Sequence, residues 1–239
     1  MSRMKLPTIK RPIFELYVPS QKKKVKAVPY ACGEEKILLI AQESGEETDI
    51  VIALKQIISN CVQDEGFDAE SLATFDLEYM FLKLRARSAG NIITLSYQDM
   101  EDEKIYSFDV DLDEVEMLQN ADKNNVIKID ENMGIILKYP SVAVLENGPK
   151  GASKRELVQY LIMTCMDKIY DGEEVYEFAE YNNDEKDAFF NGLPIPILQE
   201  IKEFFTSLPY MYYKITYTNS VGTERIVELR TLKDFFTWG

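Results

Sequence analysis

The residues that most often perform catalysis are scarce in this sequence. It contains no histidine among its 239 residues, which removes the commonest general base and the commonest metal ligand. Its three cysteines, Cys32, Cys61 and Cys165, lie far apart and show no CxxC spacing. Such a set favours neither a disulfide framework nor a zinc site. We expect reduced thiols in a cytosol-like compartment, and we interpret Cys61 and Cys165, which stand in apolar segments, as buried structural residues.

Carboxylates are the other groups that could do chemistry, since the chain has 41 aspartates and glutamates. Residues Asp109–Asp113 begin like an EF-hand calcium loop, but Glu114 stands at the sixth position where glycine is needed. Asn120 stands at the twelfth position, where a glutamate should close the site. The nucleotide-binding and hydrolase motifs GxGxxG, GxxxxGK[ST] and GxSxG are absent. A carboxylate enzyme stays an alternative without a motif, and we predict no catalytic residue, no metal and no cofactor.

The distribution of charge restricts the class of partner. The net charge is −14 and the pI is near 4.6, so the surface repels a phosphate backbone and general nucleic-acid binding is disfavoured. Residues 1–26 differ from the rest, because they hold eight lysines and arginines, Arg3 and Lys5 among them, against the single acid Glu15. This basic segment is interpreted as a solvated hairpin and turn. The alternatives are an arm that docks on an acidic partner or on the acidic body, or a nucleic-acid adaptor.

Nothing in the sequence indicates a membrane protein. No apolar run approaches the roughly 20 residues that a membrane span requires. The first residues lack the apolar region of a secretory signal. We expect a soluble protein that stays in the cell where it is made.

Hydrophobic periodicity predicts the elements of the first part of the chain. The extended segments Ile13–Val18 and Val25–Tyr30 predict a first β-hairpin. Three helices are predicted to follow, one opening with residues 34–36, one from about Asp49 and one from Asp68 as N-cap. Their apolar residues at helical spacing are Ile37, Ile40 and Ala41 in the first, Ile50, Leu54, Ile57, Ile58 and Cys61 in the second, and Leu77, Met80, Phe81 and Leu84 in the third. A second hairpin, with its tip at residues 98–104, and further short extended segments follow, and the hairpin's strands are Ile92–Tyr97 and Ile105–Val110.

The second part repeats this order. A helix is predicted from Ser153 to about Tyr170, followed by two shorter helices. A third hairpin pairs Tyr212–Tyr217 with Arg225–Leu229 around a tip at residues 218–222. The breaker-rich residues 147–151 predict a boundary between two domains, 1–146 and 152–239. The predicted fold class is α+β, with helical segments and three antiparallel hairpins, and the shared order raises the hypothesis of two similar helix-plus-hairpin halves.

Several segments resemble the baseplate hub proteins of T4-like bacteriophages. Residues 32–44, CGEEKILLIAQES, resemble the opening helix of that family, and residues 72–88, LATFDLEYMFLKLRARS, are similar to its Phe-Asp-x-Glu-Tyr stretch. Three further segments follow in family order, namely residues 169–176, 204–209 and 229–236. The resemblance covers roughly residues 6–236. Some members carry CxxC pairs at the tips of the two later hairpins, whereas the tips of this chain contain no cysteine, so zinc is not implied here.

The resemblance implies a role in building the tail baseplate. The expected function is that of a baseplate hub assembly chaperone, bound to hub or tape-measure proteins in the host cytoplasm. The alternative is a permanent structural subunit of the virion baseplate. No enzyme activity, nucleic acid or membrane is implied, and the oligomeric state is left open.

Eight residues are candidates for partner binding. They lie in the similar segments or near the C-terminus: Glu34, Glu35, Lys36, Asp76, Glu78, Arg85, Phe235 and Phe236. The alternative is a structural role, in which residues 34–36 cap and charge one helix while Asp76, Glu78 and Arg85 pair along another.

Overall fold

A computed structural model describes residues 9–119, 125–149 and 151–236 of the chain. Four residues used in the sequence predictions, Arg3, Lys5, Asn120 and Lys150, lie outside the described residues. The fold is a mixture of helices and small antiparallel sheets, so the α+β prediction is confirmed. The helices are α1 (Cys32–Ser44), α2 (Glu47–Cys61), α3 (Thr74–Ala89), α4 (Val142–Glu146), α5 (Lys154–Cys165), α6 (Asn183–Gly192), α7 (Ile195–Thr206) and α8 (Leu232–Phe235). The strands are β1 (Phe14–Val18), β2 (Lys23–Ala27), β3 (Ile92–Gln98), β4 (Ile105–Asp111), β5 (Glu116–Leu118), β6 (Val126–Lys128), β7 (Met133–Leu137), β8 (Met166–Asp171), β9 (Glu174–Glu177), β10 (Tyr210–Thr218) and β11 (Glu224–Leu229).

All three predicted hairpins are present. β1 pairs with β2, β3 with β4, and β10 with β11, each in antiparallel register. In the first hairpin, Leu16 and Val18 face the core on one strand, and Val25 and Ala27 face it on the other. This alternation is the period-two pattern of a sheet with one buried face.

Two helix boundaries differ from prediction. The third helix begins at Thr74 rather than near Asp68, because the Asp68 carboxylate accepts the amide of Glu70 and closes a separate turn. The predicted helix from Ser153 ends at Cys165, and the next residues form β8. Its apolar residues Met166 and Ile169 pack into a core from a strand that pairs with β7. Pairing within a sheet, a contact with residues far away in sequence, overrides the local helical pattern.

Two hydrophobic cores organise the chain. The first gathers the first hairpin, α2, α3 and the inner faces of the second and third hairpins. The second lies between the four-stranded sheet β6–β7–β8–β9 and the helices α5 and α7. That sheet takes two strands from each side of residues 147–151, and β5 pairs with β10 across the same point. Strand pairing therefore links the two segments, and the division into domains 1–146 and 152–239 stays a prediction.

Candidate functional site

The predicted residues on α1 lie in its first turn, where two of them have a clear structural task. The Glu34 carboxylate accepts the amide of Ala31 at 2.9 Å and lies 3.6 Å from the Arg11 guanidinium. Glu34 and Glu35 also place negative charge at the N-terminus of the helix, which its dipole favours. Lys36 is exposed.

α1 also exposes apolar side chains to solvent. Leu39 is 51% exposed and Ile40 is 57% exposed, while Leu38 and Ala41 are buried. The sequence predicted an apolar side formed by Ile37, Ile40 and Ala41, so the position of Ile40 is a correction. Every residue from Ile37 to Ala41 is apolar, so apolar side chains point to all sides of the helix. Only those on the face that packs against the rest of the protein can be buried. The exposed side chains Leu39 and Ile40, with Lys36 close to them in sequence, form a surface that another protein can contact.

Asp76 is buried and fully engaged within the chain. Its carboxylate accepts the backbone amide of Ser20 at 2.8 Å, the Ser20 hydroxyl, and the amide of Ala73 at 3.2 Å. Burial raises the pKa of Asp76, and the hydrogen bonds from Ser20 and Ala73 act in the opposite direction. Asp76 thus fixes the turn of the first hairpin to the start of α3, and a partner cannot reach it in this structure.

The predicted pairing along α3 is not formed. Arg85 donates to the carbonyl oxygen of Gly90 at 3.3 Å, beyond the end of the helix. Asp76 bonds to Ser20 and Ala73, as described above. Asp76 and Arg85 lie nine residues apart in the sequence, whereas side chains on a helix face each other when they are three or four residues apart.

The two phenylalanines at the end of the chain attach α8 to α3. Phe235 is 1% exposed and belongs to the first core. Phe236 is partly buried and meets the ring of Phe81 edge-on, with ring centroids 6.1 Å apart. Both side chains therefore pack inward, and Phe235 cannot be reached by a partner in this structure.

The attachment of α8 creates a pocket that contains Glu78. The cavity measures about 320 Å³ and lies between α2, α3, α4 and α8. Apolar side chains form most of its wall, with two threonines and two charged residues among them. The lining residues are Ile50, Val51, Leu54, Thr74, Leu77, Glu78, Val142, Thr231, Leu232 and Lys233.

Glu78 is electrostatically unusual in this pocket. Burial raises its pKa to about 7, and the negative charge of Asp234 acts in the same direction. Within the described part of the chain, no hydrogen bond or ion pair is formed by the Glu78 carboxylate. Asp234 is occupied elsewhere, because it accepts the amides of Arg230 and Thr231, both at 2.8 Å. Glu78 is therefore an acid held among apolar groups without a donor.

Sequence reasoning identified Glu78 but not the pocket around it. Ile50 and Leu54 were predicted only as part of a helical core stripe, and Val142 and Leu232 come from elements distant in sequence. The sequence does contain one indication of this pocket, because Glu78 lies in a helical segment among the core residues Leu77, Met80 and Phe81. A glutamate among such core positions is costly unless it has a partner or a function.

A second group of acids joins the tips of the later two hairpins. The Asp99 carboxylate is 1% exposed and accepts the Tyr217 hydroxyl at 2.6 Å, the Glu101 amide at 2.8 Å and the Arg225 guanidinium at 3.1 Å. These hydrogen bonds lower the pKa of Asp99 to about 2, and the bond from Tyr217 has the largest effect. Arg225 also donates to Glu101 at 2.8 Å. The acid here is stabilised in its charged form.

The same junction is completed by Asp102. Its carboxylate accepts the Ser220 amide at 2.9 Å, the Ser220 hydroxyl at 2.7 Å and the Tyr106 hydroxyl at 2.5 Å. Asn219 donates to Glu101 at 2.7 Å. The sequence patterns predict only strand pairing and packing for these hairpins, whereas side-chain hydrogen bonds also join their tips.

No metal site or membrane-spanning helix is found in the described ranges. No cluster of three or more cysteines, aspartates and glutamates among them is arranged to hold a metal ion. The acids of the EF-hand-like segment bond within the protein instead, since Asp109 accepts the Thr94 hydroxyl and Asp111 accepts the side chain of Asn91. None of the helices in residues 9–119, 125–149 and 151–236 combines the length and apolar character needed to cross a membrane.

Comparison with known proteins identifies a family. The sequence pattern of a family described as T4 bacteriophage base plate protein matches residues 11–237. No curated protein and no solved structure matches the chain.

Proposed function

Because the chain belongs to the T4 bacteriophage base plate protein family, we propose that it is an assembly chaperone of the baseplate hub. In this proposal it binds unassembled baseplate proteins in the host cytoplasm and performs no catalysis. The observation that carries the assignment to the baseplate is the family match, which extends over residues 11–237 of a 239-residue chain. A match of this extent places every surface described above inside the family's own sequence.

The proposed mechanism is the temporary covering of surfaces on partner subunits. Unassembled subunits expose apolar faces and sheet edges that are prone to aggregation. The exposed side chains Leu39 and Ile40 on α1 form an apolar surface that could cover such groups. The net charge of −14 would repel further copies of the chain and attract basic partners.

Two of the three cysteines, Cys61 and Cys165, are buried and poorly suited to covalent chemistry, whereas Cys32 is exposed. Burial raises the pKa of Cys61 to about 11 and that of Cys165 to about 12. Both thiols are therefore protonated at physiological pH, and a protonated thiol is a poor nucleophile. Together with the absence of histidine, this favours binding over catalysis.

Co-expression tests the proposal. The chain is produced together with each hub and tape-measure protein of the same phage, and complexes are isolated by affinity purification and gel filtration. We expect a discrete complex with at least one of them that weakens as the salt concentration rises, because charge attraction is screened by salt. The absence of a complex with every one of them would contradict the proposal.

A second candidate is a permanent structural subunit of the baseplate, which the family description favours equally. Quantitative mass spectrometry of purified phage particles separates the two. A chaperone is expected to be absent from the particle or present below the copy number of the hub proteins. Copies equal in number to a hub protein would support the structural role.

A further inference from the structure

The pocket between α2, α3, α4 and α8 combines two features that together define a ligand. Its wall is mostly aliphatic, with Leu54, Leu77 and Leu232 among the lining residues. Its single acid from α3, Glu78, has no donor within the described part of the chain. An aliphatic wall beside one unpaired carboxylate matches a group with an apolar stem and a cationic end.

The energetic situation of Glu78 makes the match specific. Glu78 is partly buried. A carboxylate that has lost part of its water without gaining a hydrogen bond is unfavourable in its charged form, and an incoming cation reduces that cost. Asp234 adds a second negative charge near Glu78. Lys233 lines the same pocket and supplies one positive charge. The charges of the two acids and the one base add up to a net negative charge near the pocket, which attracts a cation.

We propose that this pocket receives a lysine or arginine side chain of a baseplate partner, with its methylene stem on the aliphatic wall and its cation on the Glu78 carboxylate. The inference rests on the proposed function, since it specifies how the partner is bound. The volume of about 320 Å³ agrees with it. Ligand pockets range over about 300–1,000 Å³, and a cavity at the lower end suits one side chain rather than a cofactor.

Other occupants fit less well. An anionic side chain would be repelled by Glu78 and Asp234. A leucine or phenylalanine would fill the apolar part but would leave the Glu78 carboxylate enclosed without a donor, which is the costliest arrangement. The threonine hydroxyls of Thr74 and Thr231 line the pocket and could accept a further hydrogen bond from a guanidinium or ammonium group.

Small-molecule probes test the pocket without the partner. The methyl groups of Val51, Leu54 and Leu232 are followed by NMR while the purified chain is titrated with n-butylguanidinium or n-butylammonium chloride. The neutral control is n-butylurea, which has a similar shape. We expect saturable shifts with both cations and at least about tenfold weaker binding of n-butylurea, because a hydrogen bond to a charged group contributes about 1.5–3 kcal/mol.

Two variants of equal net charge make the titration decisive. Glu78→Gln removes the pocket carboxylate and should abolish the preference for cations. Glu200→Gln removes an exposed acid on α7 and should leave that preference unchanged. Equal affinity for n-butylurea and the cations in the wild-type chain, or an undiminished cation preference in Glu78→Gln, would overturn the inference.

Co-expression with the baseplate partners then separates this inference from the proposed function. If a complex forms with the wild-type chain and weakens at least about tenfold in Glu78→Gln but not in Glu200→Gln, both stand. If the complex is unaffected by Glu78→Gln, the pocket inference fails and the proposed function stands. If the cations bind the pocket but no complex forms with any baseplate protein, the proposed function fails and so does the assignment of the pocket to a partner side chain.

Discussion

Two regions of the chain shift the pKa of an acid in opposite directions. At the hairpin tips, Asp99 accepts bonds from Tyr217, Glu101 and Arg225, and its pKa falls to about 2. In the pocket between α2, α3 and α8, the pKa of Glu78 rises to about 7. The acids differ little in chemistry, and the difference lies in the donors that the surrounding chain provides.

The comparison shows which of the two regions can still bind a ligand. The donors of the hairpin tips satisfy the acids within the chain, so the tip junction holds two hairpins together. The pocket leaves its acid without a donor, so a ligand that brings one gains free energy on binding. A perturbed carboxylate of the second kind is a functional-site candidate, whereas the first kind is structural.

The largest effect is expected from Phe235→Ala, which removes the anchor of the pocket wall. Deleting a buried phenylalanine ring costs roughly 3–5 kcal/mol, and Phe235 is 1% exposed. The free energy of unfolding, measured by urea titration, should fall by that amount. Phe236→Ala, at a partly buried position, should cost less. Equal losses for the two variants would contradict the packing of α8 described here.

Glu78→Gln is expected to stabilise the protein, with a dependence on pH that identifies the pocket acid. The folded-state pKa of about 7 exceeds the ordinary value of 4.5. The penalty for ionising Glu78 is therefore absent below about pH 4.5, grows as the pH rises, and is fully present above pH 7. Glutamine avoids it, so the variant should gain up to roughly 3 kcal/mol at pH 8 and almost nothing at pH 4.5. Urea titrations at both pH values measure this, and a constant difference between them would show that Glu78 is not perturbed.

Asp99→Asn tests the other side of the comparison. The folded-state pKa of Asp99 lies below its ordinary value of 3.8, so its contribution is present above about pH 4 and is lost as the pH falls towards 2. We expect the variant to lower the thermal unfolding midpoint at neutral pH and to remove part of the acid-induced loss. The effect should be modest, because Arg225 is 36% exposed and solvent screens the pair. Hydrogen exchange of the Asn219 and Ser220 amides should report the loosened tip, and unchanged exchange would contradict the junction.

The smallest effect on stability is expected from Ile40→Ser. Ile40 is 57% exposed, and substitutions at exposed positions usually change stability by less than about 0.5 kcal/mol. Thermal unfolding should therefore match the wild type, while the complex formed on co-expression should weaken if α1 contacts the partner. A large loss of stability would show that Ile40 is packed and not available for binding.

Local patterns predicted the elements better than the sites. The three hairpins and the core positions Leu77, Met80, Phe81 and Leu84 were predicted correctly because one buried face imposes period two on a strand and 3.6 on a helix. The second strand was misplaced, since it spans Lys23–Ala27 and not Val25–Tyr30. The end of α5 at Cys165 was missed, since Met166 and Ile169 are drawn into a strand by a partner far away in sequence. The tip junction and the pocket were missed for the same reason. Tyr217 donates a hydrogen bond to Asp99, and Glu78 and Leu232 line one pocket, but the members of each pair are far apart in sequence and come together only when the chain folds.

The most direct test of the central claim, that this chain acts by binding other baseplate proteins, is its co-purification with the hub and tape-measure proteins of the same phage. The account predicts a complex of defined mass that forms at low salt and dissociates as the salt concentration rises. If the chain elutes alone at every salt concentration with every one of those proteins, the claim is contradicted.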